Sequence, residues 1–287
     1  MGIAGPIMHF QDQARRIVIG ASRLAMLSGM LLFGAGPLSA EPLITGAATY
    51  ELQLDPGNSA AAAADIFGEM TLSLERECSA YRTEAVMDIG LSTPDGKTVP
   101  MTMRSILIET GDTLDFDLSG EFGRSSIEEA KGTAKRTEAG LDVSVTAPAD
   151  KAFAVAGPVL FPIAMVEAAL AAAKAGRTFA DYRVFDGSGH GEEVWSLSVF
   201  IAPVSPSEDL GEEALFASGL GFEALDRWRM KFSYFEPDAG GEQVPAFTTE
   251  AIVYANGFAL ATVYDLGGVA LRVKLIDFAP LPPTACE

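Results

Sequence analysis

Alternation of apolar and polar residues with a period of two is the feature that most constrains how this chain folds. It is clearest in residues 227–234, RWRMKFSY, where every second residue is aromatic or methionine. The same pattern recurs at 70–75, 141–145 and 195–199. Because successive side chains of a strand point to opposite faces of a sheet, this period predicts half-buried strands rather than amphipathic helices.

Turn signals separate further predicted strands. Asn256-Gly257, between two apolar runs, is the strongest hairpin signal in the chain. No strand–helix–strand alternation is present, which argues against doubly wound and TIM-barrel folds. The sequence therefore predicts a mostly antiparallel β protein. The other predicted strands are 46–54, 80–90, 98–110, 113–120, 127–137, 181–186, 244–256, 258–266 and 268–279.

One segment lacks strand alternation. Residues 162–175, PIAMVEAALAAAKA, are rich in alanine, with Pro162 suited to a first helical turn and Gly176 suited to end the helix. We expect one principal α-helix there. The acidic stretch 205–213 is predicted to be a surface loop, and residues 41–287 a single domain.

The first 40 residues resemble an export signal. Arg15, Arg16 and Arg23 precede an apolar stretch at 24–35, which is too short for a membrane-spanning helix, and Ala40 offers a small residue for cleavage. We predict a signal peptide at 1–40 and a periplasmic location; the alternative is an amphipathic N-terminal helix. No later segment is apolar enough to predict a membrane span.

Charge excludes one class of partner. The chain has 20 Lys and Arg against 39 Asp and Glu, for a net charge of −19. Such a surface repels polyanions, so we predict no nucleic-acid binding.

The chain has two cysteines, Cys78 and Cys286. In an exported protein two cysteines without a third suggest one disulfide, and the alternative is a pair of free thiols.

A search for catalytic and metal-binding residues gives no candidate. A Ser-His-Asp triad would have to use His190, in the Gly-rich turn 187–191, and an exposed loop histidine is the favoured interpretation. One histidine and distant cysteines do not form a zinc set. Asp112, Asp115 and Asp117 resemble a calcium cluster but lack the spacing and the central glycine of a calcium-binding loop, and Asp115 and Asp117 are expected on a solvated face. We predict no enzyme activity, metal or cofactor.

An apolar cavity is the remaining hypothesis for a site. A curved sheet with large apolar residues on its concave face, closed by the alanine-rich helix, can enclose an apolar ligand. The alternative is an ordinary filled core. The candidate cavity residues are Phe161, Met165, Trp228, Met230, Phe232 and Tyr234.

Two blocks of sequence resemble one family. The first runs from GPVLFP at 157–162, through the predicted helix, to VFDGS at 184–188. The second runs from KFSYF at 231–235, through Asn256-Gly257, to Cys286. Together with the leader and the two cysteines, these landmarks resemble the periplasmic EipB-type cell-envelope-integrity family of alphaproteobacteria.

The resemblance implies an open, spiral-like antiparallel β-barrel with one principal α-helix associated with it. It also implies a disulfide between Cys78 and Cys286, and it supplies no catalytic residue. One local departure is that Ser79-Ala80-Tyr81 follows the first cysteine where members commonly have Asp-Gly-Trp.

The leading hypothesis for function is a non-enzymatic periplasmic protein that supports cell-envelope integrity. It would do so by binding a lipid or other apolar ligand, or a periplasmic protein partner. Two alternatives stay open: a hydrolase of an envelope polymer that uses carboxylates the sequence does not single out, and a structural scaffold whose barrel is filled.

Overall fold

Antiparallel strands make up most of the structure, a computed structural model that describes residues 32–33, 43–55, 57, 65–92, 96–205, 207–236 and 244–284. The strands are β1 Leu32–Phe33, β2 Gly46–Leu54, β3 Ile66–Glu77, β4 Ala80–Ser92, β5 Thr98–Glu109, β6 Thr113–Phe122, β7 Ser125–Thr137, β8 Gly140–Ala147, β9 Lys151–Ala156, β10 Phe179–Phe185, β11 Val194–Pro203, β12 Arg227–Phe235, β13 Phe247–Tyr254, β14 Gly257–Asp265 and β15 Ala270–Pro280. The helices are α1 Pro162–Lys174, α2 Ser188–Gly191, a 3₁₀ helix Gly211–Glu213 and α3 Ala214–Gly219.

Two meanders form a single sheet. Strands β2 to β9, and strands β10 to β15, each pair antiparallel with the next strand along the chain. β15 then pairs with β2, from Leu271 opposite Leu54 to Pro280 opposite Gly46, and this joins the meanders. β1 pairs with β14 beside this path. The sheet is not closed, since β9 and β10 are its edges, which confirms the predicted open, mostly antiparallel β architecture.

A short contact spans the seam between the two edges. Leu160 forms a parallel bridge with Val184 of β10. The Leu160 N–H donates to the Arg183 carbonyl at 2.8 Å, and the Leu160 carbonyl accepts from the Phe185 N–H at 3.0 Å. The Arg183 guanidinium also donates to the Ala156 carbonyl, at the end of β9, at 2.6 Å. Pro158 has no N–H to extend this ladder toward the start of β10. Among the described residues these contacts bridge the seam, while β9 and β10 do not pair with one another.

Helix α1 packs against the inner faces of the strands. Eight of its residues are buried, and most of them belong to a core cluster that also contains inner-face residues of β2 to β5 and β11 to β15. The helix has no side-chain cap of its own at Phe161, and it begins at Pro162. The predicted helix at 162–175 is confirmed to within one residue, and burial of its apolar side chains accounts for its position.

A split separates parts of β14 and β15. These strands pair over only four residues, from Thr262 opposite Val273 to Asp265 opposite Ala270. Beyond this point the Glu213 carboxylate accepts hydrogen bonds from both sides, from the Ala261 N–H at 3.3 Å and the Leu275 N–H at 2.8 Å. Glu213 thus holds the connection between β11 and β12 against both sides of this split. The predicted surface loop at 205–213 ends in the 3₁₀ helix Gly211–Glu213, and helix α3 follows it.

The predicted strand boundaries differ from the observed ones in a few places. The hairpin at Asn256-Gly257 is confirmed, with Gly257 at a φ of 74° and the Asn256 side chain accepting the Phe258 N–H. Strand β9 was not predicted, because its side chains are half-buried or exposed and carry no strong apolar alternation. The predicted leader lies outside the described residues except for the two residues of β1.

Candidate functional site

A groove opens at the C-terminal end of α1. It has a volume of about 530 Å³ and lies between the helix end and the connection that precedes β12. Gly176, at a φ of 73°, ends the helix there, and its N–H donates to the Ala173 carbonyl at 2.9 Å. Its apolar wall is formed by Ala173, Pro203, Val204, Leu225 and Trp228.

The polar rim of this groove carries charges of both signs. Lys174 and Arg227 line it together with Glu223 and Asp226. The Arg227 guanidinium is held in place, since it donates to the Ser205 carbonyl at 2.8 Å. An apolar wall with a mixed-charge rim suits an uncharged or amphiphilic ligand better than a highly charged one.

Of the six predicted cavity residues, Trp228 lines this groove. Met230, Phe232 and Tyr234 follow it on the inner face of β12 and are almost completely buried. Met165 of α1 packs in the same core cluster. The structure therefore brings five of the six predicted residues together, with one of them at an opening. Whether they enclose a ligand stays a prediction.

Phe161 lies apart from the other five. It belongs to a second core cluster with Phe116 and Phe185, and the Arg136 guanidinium carbon lies 4.6 Å from its ring centroid. The sequence analysis grouped Phe161 with Met165 as large apolar candidates for the cavity. Phe161 occupies the N-cap position, where the chain has not yet become helical, and its ring therefore packs against β6 and β10.

Glu109 caps α1 from the end of β5. Its carboxylate accepts hydrogen bonds from the Ile163 N–H at 2.7 Å and the Ala164 N–H at 3.0 Å. Burial raises the pKa of Glu109 to about 7, although these two bonds and the nearby Arg136 charge oppose the rise. The carboxylate supplies the partners that the first turn of a helix lacks. No local sequence pattern indicates that Glu109 caps this helix, because Glu109 and Ile163 are far apart along the chain.

The turn 187–191 contains a buried polar network. The Trp195 indole N–H donates to the Ser188 hydroxyl at 2.9 Å, and the Ser188 N–H donates to the Asp186 carboxylate at 3.0 Å. Burial raises the pKa of Asp186 to about 6, against the hydrogen bonds from Ser188. Ser188 is completely buried. Its hydroxyl therefore joins the turn to β11 and is not placed to attack a substrate.

His190 lies at the surface of this turn, with 56% of its side chain exposed. Its backbone N–H donates to the buried Glu128 carboxylate at 2.9 Å, and its Nδ1 is 3.2 Å from the same group. His190 is exposed, as predicted, and lies within the short helix α2, where its φ of 59° is not helical. The turn is also anchored, since Gly187 packs directly on the Phe116 ring.

Asp115 and Asp117 share a solvated face of β6, as predicted. Asp115 accepts a hydrogen bond from Thr133, and Asp117 forms an ion pair with Lys131. Within the described ranges no group of three or more His, Cys, Asp or Glu residues is placed to hold a metal ion. The same part of the chain contains no helix long and apolar enough to cross a membrane.

The end of the chain runs beside Cys78. Thr284 forms a parallel bridge with Glu77, and its N–H donates to the Arg76 carbonyl at 3.0 Å. Cys78 lies in the turn that joins β3 to β4, at a φ of 56°. Cys286 is outside the described residues. The disulfide therefore stays a prediction, which the position of Thr284 supports.

The fold and the groove define this protein as an open, β-barrel-like protein with a helix packed inside its sheet. It resembles the crystal structure of a β-barrel-like protein from Brucella abortus that represents a domain of unknown function, with a TM-score of 0.75. The likeness covers 83% of this chain and 98% of that one at 19% identity, and it concerns the fold.

Sequence comparison gives the family. The model of the EipB-like family matches residues 37–282, so the chain belongs to that family. A curated relative, the cell envelope integrity protein EipB of Brucella abortus (strain 2308), is 21% identical over 245 residues, which cover 84% of this chain and 86% of the relative. The resemblance seen in the sequence is confirmed.

Proposed function

We propose that this protein is a non-enzymatic periplasmic protein that supports the integrity of the cell envelope by binding an apolar ligand inside its barrel. Family membership supports the proposed envelope role, because the curated relative is named a cell envelope integrity protein. The leader-like pattern of residues 1–40 supports the periplasmic location.

The groove at Trp228 supports ligand binding. Its volume of about 530 Å³ falls within the range of small-molecule sites. From Trp228 the inner face of β12 continues through Met230 to Phe232, a distance of about 13 Å at the usual rise per residue of a strand. A medium-length acyl chain laid along this row would exchange water for apolar contacts and gain about 0.8 kcal/mol per methylene before the costs of association.

The two carboxyls whose pKa rises furthest favour a structural rather than a hydrolytic role. Glu109 and Asp186 are both buried, and each accepts hydrogen bonds from backbone N–H groups. A general acid or base needs access to its substrate. The geometry of these groups therefore supports a binding protein over an envelope-polymer hydrolase.

Uptake of the apolar dye N-phenyl-1-naphthylamine tests ligand binding. We expect fluorescence enhancement with the wild type at tens of micromolar protein, a strong reduction in Trp228→Glu, and loss in Met165→Asp if the mutant folds. Phe200→Glu is the matched control, because Phe200 is a large apolar residue that is 54% exposed and outside the groove. No enhancement with the wild type would favour the filled scaffold.

The envelope role and location are tested in cells. Mature protein is expected to be released by osmotic shock and to begin close to Glu41. Recovery of the intact N-terminus from the cytoplasm would contradict the location. Native mass spectrometry of the released protein would distinguish a bound lipid from a bound protein partner.

A further inference from the structure

Three buried hydroxyl groups inside the barrel have no hydrogen-bond partner. They belong to Tyr50 of β2, Thr249 of β13 and Tyr264 of β14. Each of these residues is at most 1% exposed. A buried hydroxyl without a partner gives up the hydrogen bonds that it makes with water in the unfolded chain. Three such groups in one core therefore indicate that a polar partner belongs there.

Thr249 and Tyr264 lie side by side, and Tyr50 belongs to the same hydrophobic core as Tyr264; we name Tyr50, Thr249 and Tyr264 the hydroxyl cluster. Thr249 is directly opposite Tyr264 in the pairing of β13 with β14. Burial raises the pKa of Tyr50, and the nearby Tyr264 raises it further, which places the two phenols within electrostatic reach of one another. Both phenols stay uncharged at neutral pH, so each hydroxyl can donate one hydrogen bond and accept others.

The hydroxyl cluster lies at the end of the apolar row that starts in the groove. Phe232 is directly opposite Thr249 in the pairing of β12 with β13. The row from Trp228 through Met230 therefore leads from an opening to the only cluster of this kind among the described residues. An amphiphile fits this arrangement, with its chain along β12 and its polar group at the hydroxyls.

The charge near the cluster selects the type of polar group. The Glu213 carboxylate at the β14–β15 split lies close enough to Tyr50 to raise its pKa. Burial raises the pKa of Glu213, and the nearby Lys274 and Arg272 oppose the rise. Both cations are already paired, Lys274 with Glu212 at 2.7 Å and Arg272 with Asp55 at 3.6 Å. An anionic head group at the cluster would therefore meet the field of ionised Glu213 with these two cations already engaged, whereas an uncharged alcohol or ester would not be repelled.

We propose that the hydroxyl cluster of Tyr50, Thr249 and Tyr264 binds the uncharged polar group of an amphiphile, an alcohol or an ester, and discriminates against carboxylates. This inference rests on the proposed function, because it places the chain of the ligand in the apolar interior.

Thermal-shift titration with 1-decanol and with sodium decanoate tests the inference. The two probes share a ten-carbon chain and differ in the head group. We expect 1-decanol to raise the melting temperature of the wild type and decanoate to bind at least about tenfold more weakly. Tyr264→Phe and Tyr50→Phe should each weaken 1-decanol binding about tenfold, the effect of one lost hydrogen bond. If a phenylalanine variant does not fold, Thr249→Val takes its place, and the same weakening of 1-decanol binding is expected.

Tyr182→Phe is the matched control. It also removes a buried hydroxyl that lacks a partner, but on the edge strand β10, and it should leave 1-decanol binding unchanged. Equal binding of 1-decanol by the wild type and the cluster variants would overturn the inference, as would equal binding of the two probes or no shift with 1-decanol. Failure of the proposed function is seen separately, as an absence of dye uptake by the wild type.

Discussion

Replacing Glu109 with glutamine should remove a pH-dependent contribution to stability. The carboxyl group is 6% exposed and accepts the Ile163 and Ala164 N–H groups at the start of α1. The two N–H groups donate to different carboxylate oxygens, and glutamine keeps one of these acceptors, as the protonated carboxyl does, but cannot ionise. Glu109→Gln therefore imitates the protonated form of Glu109, and the comparison isolates the cost of holding a negative charge in the core.

The sign and size of this pH-dependent change in stability follow from the pKa of Glu109. It rises from an ordinary value of 4.5 to about 7 in the folded protein, chiefly because of burial. Between these pH values the folded state binds more protons than the unfolded state, so stability falls as the pH rises through the window. At about 1.36 kcal/mol per pH unit, the wild type should lose about 3 kcal/mol that Glu109→Gln keeps.

Urea unfolding at pH 5 and pH 8 measures this difference. We expect the wild type and Glu109→Gln to have similar stability at pH 5 and the variant to be the more stable protein at pH 8. Asp186, whose pKa is also raised, contributes a slope of the same sign to both proteins and cancels in the comparison. Parallel stability curves for the two proteins would refute the reasoning. Glu109→Ala should be destabilised at both pH values, because two buried N–H groups lose their partner.

Three further predictions concern the rest of the chain. Cys286→Ser should lower the stability by about 2–5 kcal/mol, and a reductant should do the same to the wild type, if the disulfide forms; two titratable thiols in the unreduced protein would contradict it. Glu213→Ala should cost about 1–3 kcal/mol in unfolding experiments because two backbone N–H groups lose their acceptor, whereas Glu212→Ala at the surface should change little. Gly187→Ala should cost more than Gly96→Ala: both have a positive φ, but only at 187 would the new methyl meet a buried phenylalanine ring at 2.7 Å. Equal losses in either pair would count against the assigned contacts.

The strand architecture could be predicted because its signal is local. In β12 every second residue faces the core, and the alternation from Trp228 to Tyr234 records this directly. The helix was predictable for the same reason, from its alanine content and from Pro162 and Gly176 at its ends. Strand β9 has small or half-exposed residues, and an edge strand with little burial leaves a weak pattern.

The polar features of the interior could not be predicted, because they join distant parts of the chain. Glu109 lies at the end of a strand whose pattern explains its burial, but its bonds to Ile163 and Ala164 depend on how the helix is placed in the barrel. In an alternating pattern Tyr50 and Tyr264 are counted as apolar residues of the core face, so the pattern does not distinguish them from phenylalanine. Their hydroxyls become notable only when the sheet brings them together and leaves them unpaired.

The pairing of β15 with β2 also sets the order in which this protein can fold. Every other neighbouring pair along the main path of the sheet consists of consecutive strands, so those hairpins can form as soon as both of their strands are available. Leu52 and Val273 are opposite each other in the β15–β2 pair although they are more than two hundred positions apart. The two meanders therefore stay separate, each with one further exposed edge, until β15 has been synthesised. A chain that stalls before β15 would present β2 and β14 as open edges to other chains.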